Sequence, residues 1–542
     1  MDGPSAKQQK YDRQLRLWGA HGQIALEEAH VLVLGATTTG CEVVKNLVLP
    51  GTGSFTVVDD ATTSASHVGT NFFLTSADVG SPLAAAACAG LQELNPDTLG
   101  HFVEAEPNAY VAEAESLPYD VVIATDVVSE ATLRSLAPSH TLLVARTYGL
   151  VGLVRTSLPG ESGSGSGKMH TIVESHPDHN RIDLRITNPF DGLRAHADAI
   201  DLDALDTYAY NHVPYPILLL KALDAFVALH GHPPASSADK REFRKALRAL
   251  ARDPEGQNNV DEASKAALRA WVKSVPSDDV AAVLAAAPAK VGPEAEPFWL
   301  AAAGLAAFVE QGVADGCLPL PGTLPDMAAT TEGYIAITKV YQDQAEAEFA
   351  TLRSLVDGIV ADAGAPEGTV SDEYLRLVVK NAASIRSVTL SSLVDELDGS
   401  EKTTAALSAA LGSGSTTATT AALYLMLRAA DGFKAAHGRW PGDAPEGDPD
   451  FNWESDIPDL KTIVTSVLDS LGLADASSSG ALADDLIHEF CRFANAEINP
   501  VAVVVGAVAA QEVIKLLTSQ YVPMDNVFVF NGMDTTGGVL SL

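Results

Sequence analysis

The chain has 542 residues, with 35 Lys and Arg against 70 Asp and Glu, a formal charge of −35 at pH 7. Hydrophobic residues make up 46% and charged residues 19%, below the roughly 25% charged that is usual for soluble domains. That length predicts about three or four domains, or two large ones, and the acidity excludes broad binding to a phosphate backbone, which needs clustered Lys and Arg. The strongly apolar stretches at 501–510 and 216–229 fall short of the ~20 residues of a membrane span. The start, MDGPSAKQQK, is polar and carries no signal-like apolar run. Cys41, Cys88, Cys317 and Cys491 show no C-x-x-C spacing, so no disulfide framework is expected. The reading is a soluble intracellular protein with neither nucleic acid nor membrane as partner.

In chain order, β-branched runs at 30–34 (HVLVL), 54–58 (SFTVV), 120–124 (DVVIA) and 141–145 (TLLVA) read as strands. Residues 41–49 and 83–94 between them carry apolar residues at helical spacing. Strands alternating with helices predict parallel βαβ units and an α/β, doubly wound sheet. The Gly/Ser tract 160–168 reads as a surface loop. Beyond it, Ala/Leu/Val-rich segments at 216–229, 240–251, 260–275 and 421–437 predict a mainly helical region, broken by the acidic loop 442–456. An apolar helix at 501–517 and strands at 526–531 and 539–541 then return to α/β character, and are placed on the edge of the N-terminal sheet. The expected division is 1–168 and 486–542 as two parts of one α/β domain, with 169–485 as a large helical insertion.

The first strand runs into Gly35-Ala-Thr-Thr-Thr-Gly40 and a helix, the arrangement that aims backbone N–H groups at a phosphate. Thr37 occupies the position where glycine lets the backbone approach a pyrophosphate, while Asp59 ends the second strand where a ribose is usually held. The pattern favours a degenerate pocket over a working one. Three other motifs fail. Gly167-Lys168 lacks the remainder of a P-loop, and His488-Glu489 is followed by Arg492 where a zinc motif needs His. His170, His176 and His179 have no partner at ligand spacing, so no metal site is expected. Cys41, Cys88 and Cys491 read as inert buried thiols, and Cys317, in a turn, is the one whose reactivity is arguable.

The segment KYDRQLRLWG at 10–19 reads as an amphipathic helix packing Leu15 and Trp18. It also resembles the opening motif of enzymes that activate ubiquitin-like proteins. NLVLPGTGSFT at 46–56, NFFL at 71–74, QELN at 92–95, RTYGLVG at 146–152, VESHPD at 173–178, GTLPDM at 322–327, HEFCR at 488–492 and AAQEVIK at 509–515 are similar to one family within them. That family is the regulatory subunits of heterodimeric neddylation-activating enzymes, the inactive adenylation half of the ubiquitin-activating enzyme family.

The resemblance implies a Rossmann-like, ThiF-type adenylation domain interrupted by the helical insertion, the latter equivalent to a catalytic-cysteine domain. In a competent half, a second Asp, an Asn, an Arg-Gln pair and a Lys complete the ATP site. Here those positions hold Ala61, His67, Thr70-Asn71 and about Leu83, and Asp126, which matches a further acidic position, rescues nothing alone. The implied degenerate pocket is therefore Gly35, Thr37, Gly40, Asp59, Ala61, His67, Thr70, Asn71 and Leu83. The chain is expected to bind no cofactor, with ATP and Mg²⁺ in the partner subunit, and to lend Arg13, with Arg16 as a lesser candidate, to the partner's ATP phosphates. Cys317 lacks the thioester context. Contacts to the catalytic subunit map onto His212 and onto 326–339, in particular Asp326, Met327, Tyr334 and Lys339. The implied partners are the catalytic subunit, the modifier and the conjugating enzyme, and the implied location is the cytoplasm and the nucleus. Two rivals stay open: a homodimeric adenylating enzyme acting alone, and a nucleotide-free scaffold. The charge of −35 fits partners that are proteins, steered in by their own basic patches.

Overall fold

The computed structural model describes residues 6–160, 169–175, 183–252, 258–268, 270, 273–445, 448, 450–474 and 482–542. Most of the Gly/Ser tract and both His176 and His179 lie outside them. Ten strands are described: β1 His30–Leu34, β2 Ser54–Val58, β3 Leu99–Val103, β4 Val121–Ala124, β5 Leu142–Tyr148, β6 Val151–Ser157, β7 His170–Ile172, β8 Arg386–Val388, β9 Val527–Asn531 and β10 Thr536–Leu540. Eight form one sheet in the order β10-β9-β6-β5-β4-β1-β2-β3. The five from β3 to β5 are parallel, and β6, β9 and β10 extend the sheet antiparallel. The C-terminal strands thus sit at the edge, as the sequence predicts. The run 151–157 carried no strand expectation.

Alternation along β1 sends its side chains to opposite faces of the sheet. Val31 and Val33 pack with helices Thr38–Val48, Leu83–Gln92 and Asn499–Thr518. Leu32 and Leu34 join a second cluster with helices Leu393–Asp398, Glu401–Leu411, Thr416–His437, Ile457–Ser470 and Asp484–Phe493. The chain consequently divides into one unit of 1–170 with 387–542 and another of 171–386. The first break lies within two residues of the sequence expectation. The second is at 386/387 rather than 485/486, for a physical reason: a parallel sheet must bury both faces, and the helices of 387–485 supply the second cover.

Helix Asn499–Thr518 is 20 residues long, longer than its apolar run suggested, and is apolar enough to cross a membrane by composition. Val501, Ala502, Val505, Ala509 and Val513 on it are buried in the core of the sheet unit, the mark of a core helix. Its close approach to helix Thr38–Val48 depends on Gly506, where a Cβ would lie 2.7 Å from the Cβ of Glu42 and 3.0 Å from the Val43 nitrogen.

The unit of 171–386 is built from helices, chiefly Tyr215–His230, Ser237–Ala249, Asn258–Ala266, Pro297–Glu310 and the 33-residue Thr331–Ala363. Leu218, Leu220, Phe243, Leu247, Ile337 and Tyr341 are central to one of its clusters. The long helix starts on a Thr330 cap, whose hydroxyl accepts the Gly333 N–H at 3.0 Å, and stops at left-handed Gly364.

Candidate functional site

The site lies at the C-terminal ends of β1 and β2, beside the switch point between β1 and β4 where ligands of doubly wound sheets bind. β1 ends in Gly35, whose φ of +103° only glycine adopts without strain and whose Cβ would fall 2.2 Å from the Thr125 hydroxyl. Its N–H reaches the Val58 carbonyl at 2.9 Å. Thr37 follows as N-cap of helix Thr38–Val48, accepting the Gly40 N–H at 3.1 Å. The residue that replaces the fingerprint glycine therefore serves the helix.

A cleft of about 240 Å³ opens here. Thr37, Asp59, Ala61, His67, Thr70, Asn71 and Leu83 all line it, so seven of the nine pocket residues expected from sequence meet in space. Gly35 and Gly40 shape the turn beside them and are buried. Most of the seven are committed within the chain. Asn71 is 3% exposed and accepts the Phe73 N–H at 3.0 Å. His67 Nδ1 accepts the Ser64 N–H at 3.2 Å in a capping box. Leu83 belongs to the apolar cluster. Asp59, 5% exposed, receives the Ala36 and Ala61 N–H groups at 2.8 Å each.

Sequence reasoning missed a charged residue of the lining. Glu497, just before helix Asn499–Thr518, accepts the Thr38 N–H at 2.7 Å, the Thr39 N–H at 3.0 Å and the Thr39 hydroxyl at 2.8 Å. The helix N-terminus that would hold a phosphate already holds a carboxylate of the same chain. The Gly149 N–H to the Ala496 carbonyl, at 2.9 Å, and Asn495 to Asp126, at 2.8 Å, fasten that segment. Glu497, Asp59, Asp60 and Glu106 bring four carboxylates to the lining, and among the described residues no Lys or Arg lines it. No local pattern marks Glu497, because its partners are 458 and 459 positions away.

Withdrawal from water and the charge of Asp126 push the Glu497 carboxyl above the usual carboxylate range, against the pull of its hydrogen bonds. The folded chain thus holds this proton more tightly than the unfolded chain. The resulting stabilisation is full below the unfolded value of about 4.3 and is lost as pH rises through the raised folded value. Glu497→Gln removes that slope. Urea unfolding of the isolated chain between roughly pH 4 and 7 should show the variant gaining on wild type as pH rises; parallel curves would refute the assignment.

Arg13 and Arg16 lie on helix Asp12–Glu28, which bends at Gly19. Trp18 on that helix is buried as expected and donates to Gln23 at 3.0 Å, while Leu15 is half-buried. Arg16 is engaged by Asp12 at 3.0 Å. Arg13 is exposed and, among the described residues, has no ion pair or side-chain hydrogen bond. Neither arginine lines the cleft of its own chain.

The other expected contact residues lie in the unit of 171–386. Asp326 and Lys339 are exposed, Lys339 pairing with Asp343 at 2.9 Å. His212 Nδ1 lies 2.7 Å from the Tyr208 carbonyl, and its ring packs on exposed Tyr208 with centroids 4.3 Å apart. Met327 is 8% exposed and, with half-buried Tyr334, belongs to the apolar cluster. Met327 therefore supports this surface from beneath. Cys317 is fully buried, 3.5 Å from Asn188 Nδ2, which overturns the expectation of an arguable reactivity there; the other three cysteines are buried too. Among the described residues, no group of three or more His, Cys, Asp or Glu side chains is placed to hold a metal.

The ThiF family profile matches residues 11–540. The chain is 36% identical to the NEDD8-activating enzyme E1 regulatory subunit of Danio rerio over 554 residues, covering 100% of both. It is 35% identical to the regulatory subunit AXR1 of Arabidopsis thaliana, covering 98% of this chain and 96% of that one. Identity to the Saccharomyces cerevisiae regulatory subunit is 24%, over 98% and 100% of the two chains. The protein belongs to the ThiF family, among the regulatory subunits of the NEDD8-activating enzyme E1.

Proposed function

We propose that this chain is the non-catalytic half of a heterodimer whose catalytic subunit binds ATP and Mg²⁺. That partner adenylates the C-terminal glycine of the ubiquitin-like modifier and takes it onto a cysteine as a thioester, before transfer to the conjugating enzyme. The observation that carries the reading is the cleft beside β1. A nucleotide triphosphate would meet four carboxylates there and, among the described residues, no Lys or Arg, and Glu497 already takes the helix N–H groups. Bringing anions together in a partly desolvated cleft is strongly unfavourable. With Ala61 where a metal-directed carboxylate belongs and Leu83 where a cation belongs, the residues present do not fit ATP.

The chain's own contribution is Arg13. Adenylation expels pyrophosphate, charge grows on the leaving group, and a guanidinium supplied from another subunit neutralises it without titrating. Exposed and, among the described residues, unpaired, Arg13 is free to make that contact, whereas Arg16 would first have to leave Asp12. In the unit of 171–386, His212, Asp326, Tyr334 and Lys339 offer polar groups to the catalytic subunit.

The test compares ATP–pyrophosphate exchange by the purified chain and by the chain co-expressed with its catalytic partner. The heterodimer should exchange and the isolated chain should not. Exchange by the isolated chain would revive the stand-alone enzyme, and failure to co-purify with the partner would leave the scaffold reading.

A further inference from the structure

We propose that Tyr11 and Asp97, seated on Asn95, are positioning residues for Arg13, acting on adenylation without touching nucleotide; this rests on the in-trans reading above. Tyr11 stands in the break between helices Ala6–Lys10 and Asp12–Glu28, two residues before Arg13. Its backbone is non-helical, at φ −103° and ψ 20°, so its placement sets the direction in which the second helix leaves. The ring is 2% exposed and packs against Gly51, where a Cβ would come within 2.8 Å of the phenol oxygen.

The phenol is held from two sides. It donates to Asp97 Oδ2 at 3.1 Å and accepts from Asn95 Nδ2 at 3.0 Å. Asn95, 1% exposed, also donates to the Val48 carbonyl at 2.8 Å and accepts from Lys10 at 2.5 Å. Lys10 closes the ring on Asp97 at 2.7 Å. The two groups reinforce each other's charge: the hydrogen bond holds Lys10 above and Asp97 below their ordinary ranges. Tyr11 of KYDR and Asn95 of QELN, 84 positions apart, therefore meet in one clamp. It ties the start of the arginine helix to the loop after helix Thr38–Val48 and to the turn before β3.

Such a clamp does more than cover a core. A misplacement of about 1 Å at a reacting centre costs on the order of 100-fold in rate, and an arginine that must reach across an interface gains nothing from contacts inside its own chain. Its helix therefore needs a fixed origin.

The experiment uses the intact heterodimer and measures ATP–pyrophosphate exchange for Tyr11→Phe, Asp97→Ala, Asp97→Asn and Arg13→Ala, and for Tyr11→Phe with Arg13→Ala. Tyr11→Phe keeps the buried ring and loses only the hydroxyl. It and Asp97→Ala should lower kcat roughly 3- to 10-fold, the size of one or two lost hydrogen bonds, with little change in KM for ATP. Asp97→Asn keeps an acceptor for the phenol and should recover most of the rate. In the Arg13→Ala background Tyr11→Phe should cost nothing further. Wild-type kcat for Tyr11→Phe beside a slow Arg13→Ala would overturn the clamp and leave the in-trans reading standing. An equal loss in both backgrounds would mark a merely structural role. Wild-type rates for Arg13→Ala would overturn both.

Discussion

Arg13→Ala should slow adenylation by the heterodimer about 100-fold, at the low end of what removing an in-trans arginine or a transition-state donor costs, while the two subunits still co-purify. The expectation rests on what Arg13 lacks. Its guanidinium is exposed and, among the described residues, unpaired, so truncation leaves no buried partner unsatisfied and folding should be unaffected. The loss should appear in kcat/KM, because the charge that Arg13 meets grows only as pyrophosphate departs. Arg13→Lys keeps the charge without the planar fork and should recover part of the rate. Arg16→Ala should cost less, since Arg16 is already paired with Asp12. Single-turnover formation of the adenylate, at limiting and at saturating ATP, reads all three. An Arg13→Ala enzyme as fast as wild type would end the in-trans role.

The parts of this arrangement that are local in the chain were legible in the sequence. The β-branched runs become β1 and β2 at both ends, and β4 and β5 within one to three residues, because strands buried on both faces read as short continuous apolar runs. The identity of Thr37 told that a pyrophosphate seat was spoiled. It did not tell that the residue caps the helix instead, since both roles ask only for a small polar side chain at that position. What escaped was long-range. Helices 401–411 and 416–437 have the same Ala- and Leu-rich character as helices 215–230 and 297–310, yet the first pair covers the sheet and the second packs in the helical unit. Amphipathicity says that a face is buried and is silent on what buries it. β3, with all five of its residues exposed or half-buried, lacked the apolar run that marks the other parallel strands. Glu497 escaped for the reason Asn95 did: the value of a polar side chain lies in partners the chain brings to it.

The same limit hid a bond that holds the second cover to the sheet, and it carries the largest stability effect expected of this chain. Glu396→Ala should destabilise the sheet unit by about 3–5 kcal/mol, the cost of removing one partner from a buried ion pair. Glu396, on helix Leu393–Asp398, is fully buried and meets Arg155 of β6 at 2.5 Å. It also accepts the Tyr424 hydroxyl at 2.7 Å and the Asn526 amide at 3.0 Å. One carboxylate thus joins the sheet, two helices of the second cover and the residue that precedes β9. Arg155 is 5% exposed, reaches Glu396 through Nη2, and its Nε has no hydrogen-bond partner among the described residues, so truncation strands a guanidinium away from water as well as two neutral donors. Desolvation, more than lost attraction, sets the size of the effect. Glu396→Leu combined with Arg155→Met removes both charges and should recover much of the loss, since apolar replacement of a buried pair is often neutral or stabilising. Urea unfolding of the isolated chain measures the two variants against wild type. A Glu396→Ala loss below about 1 kcal/mol would fit an exposed pair and would show that water reaches Arg155 in the folded protein.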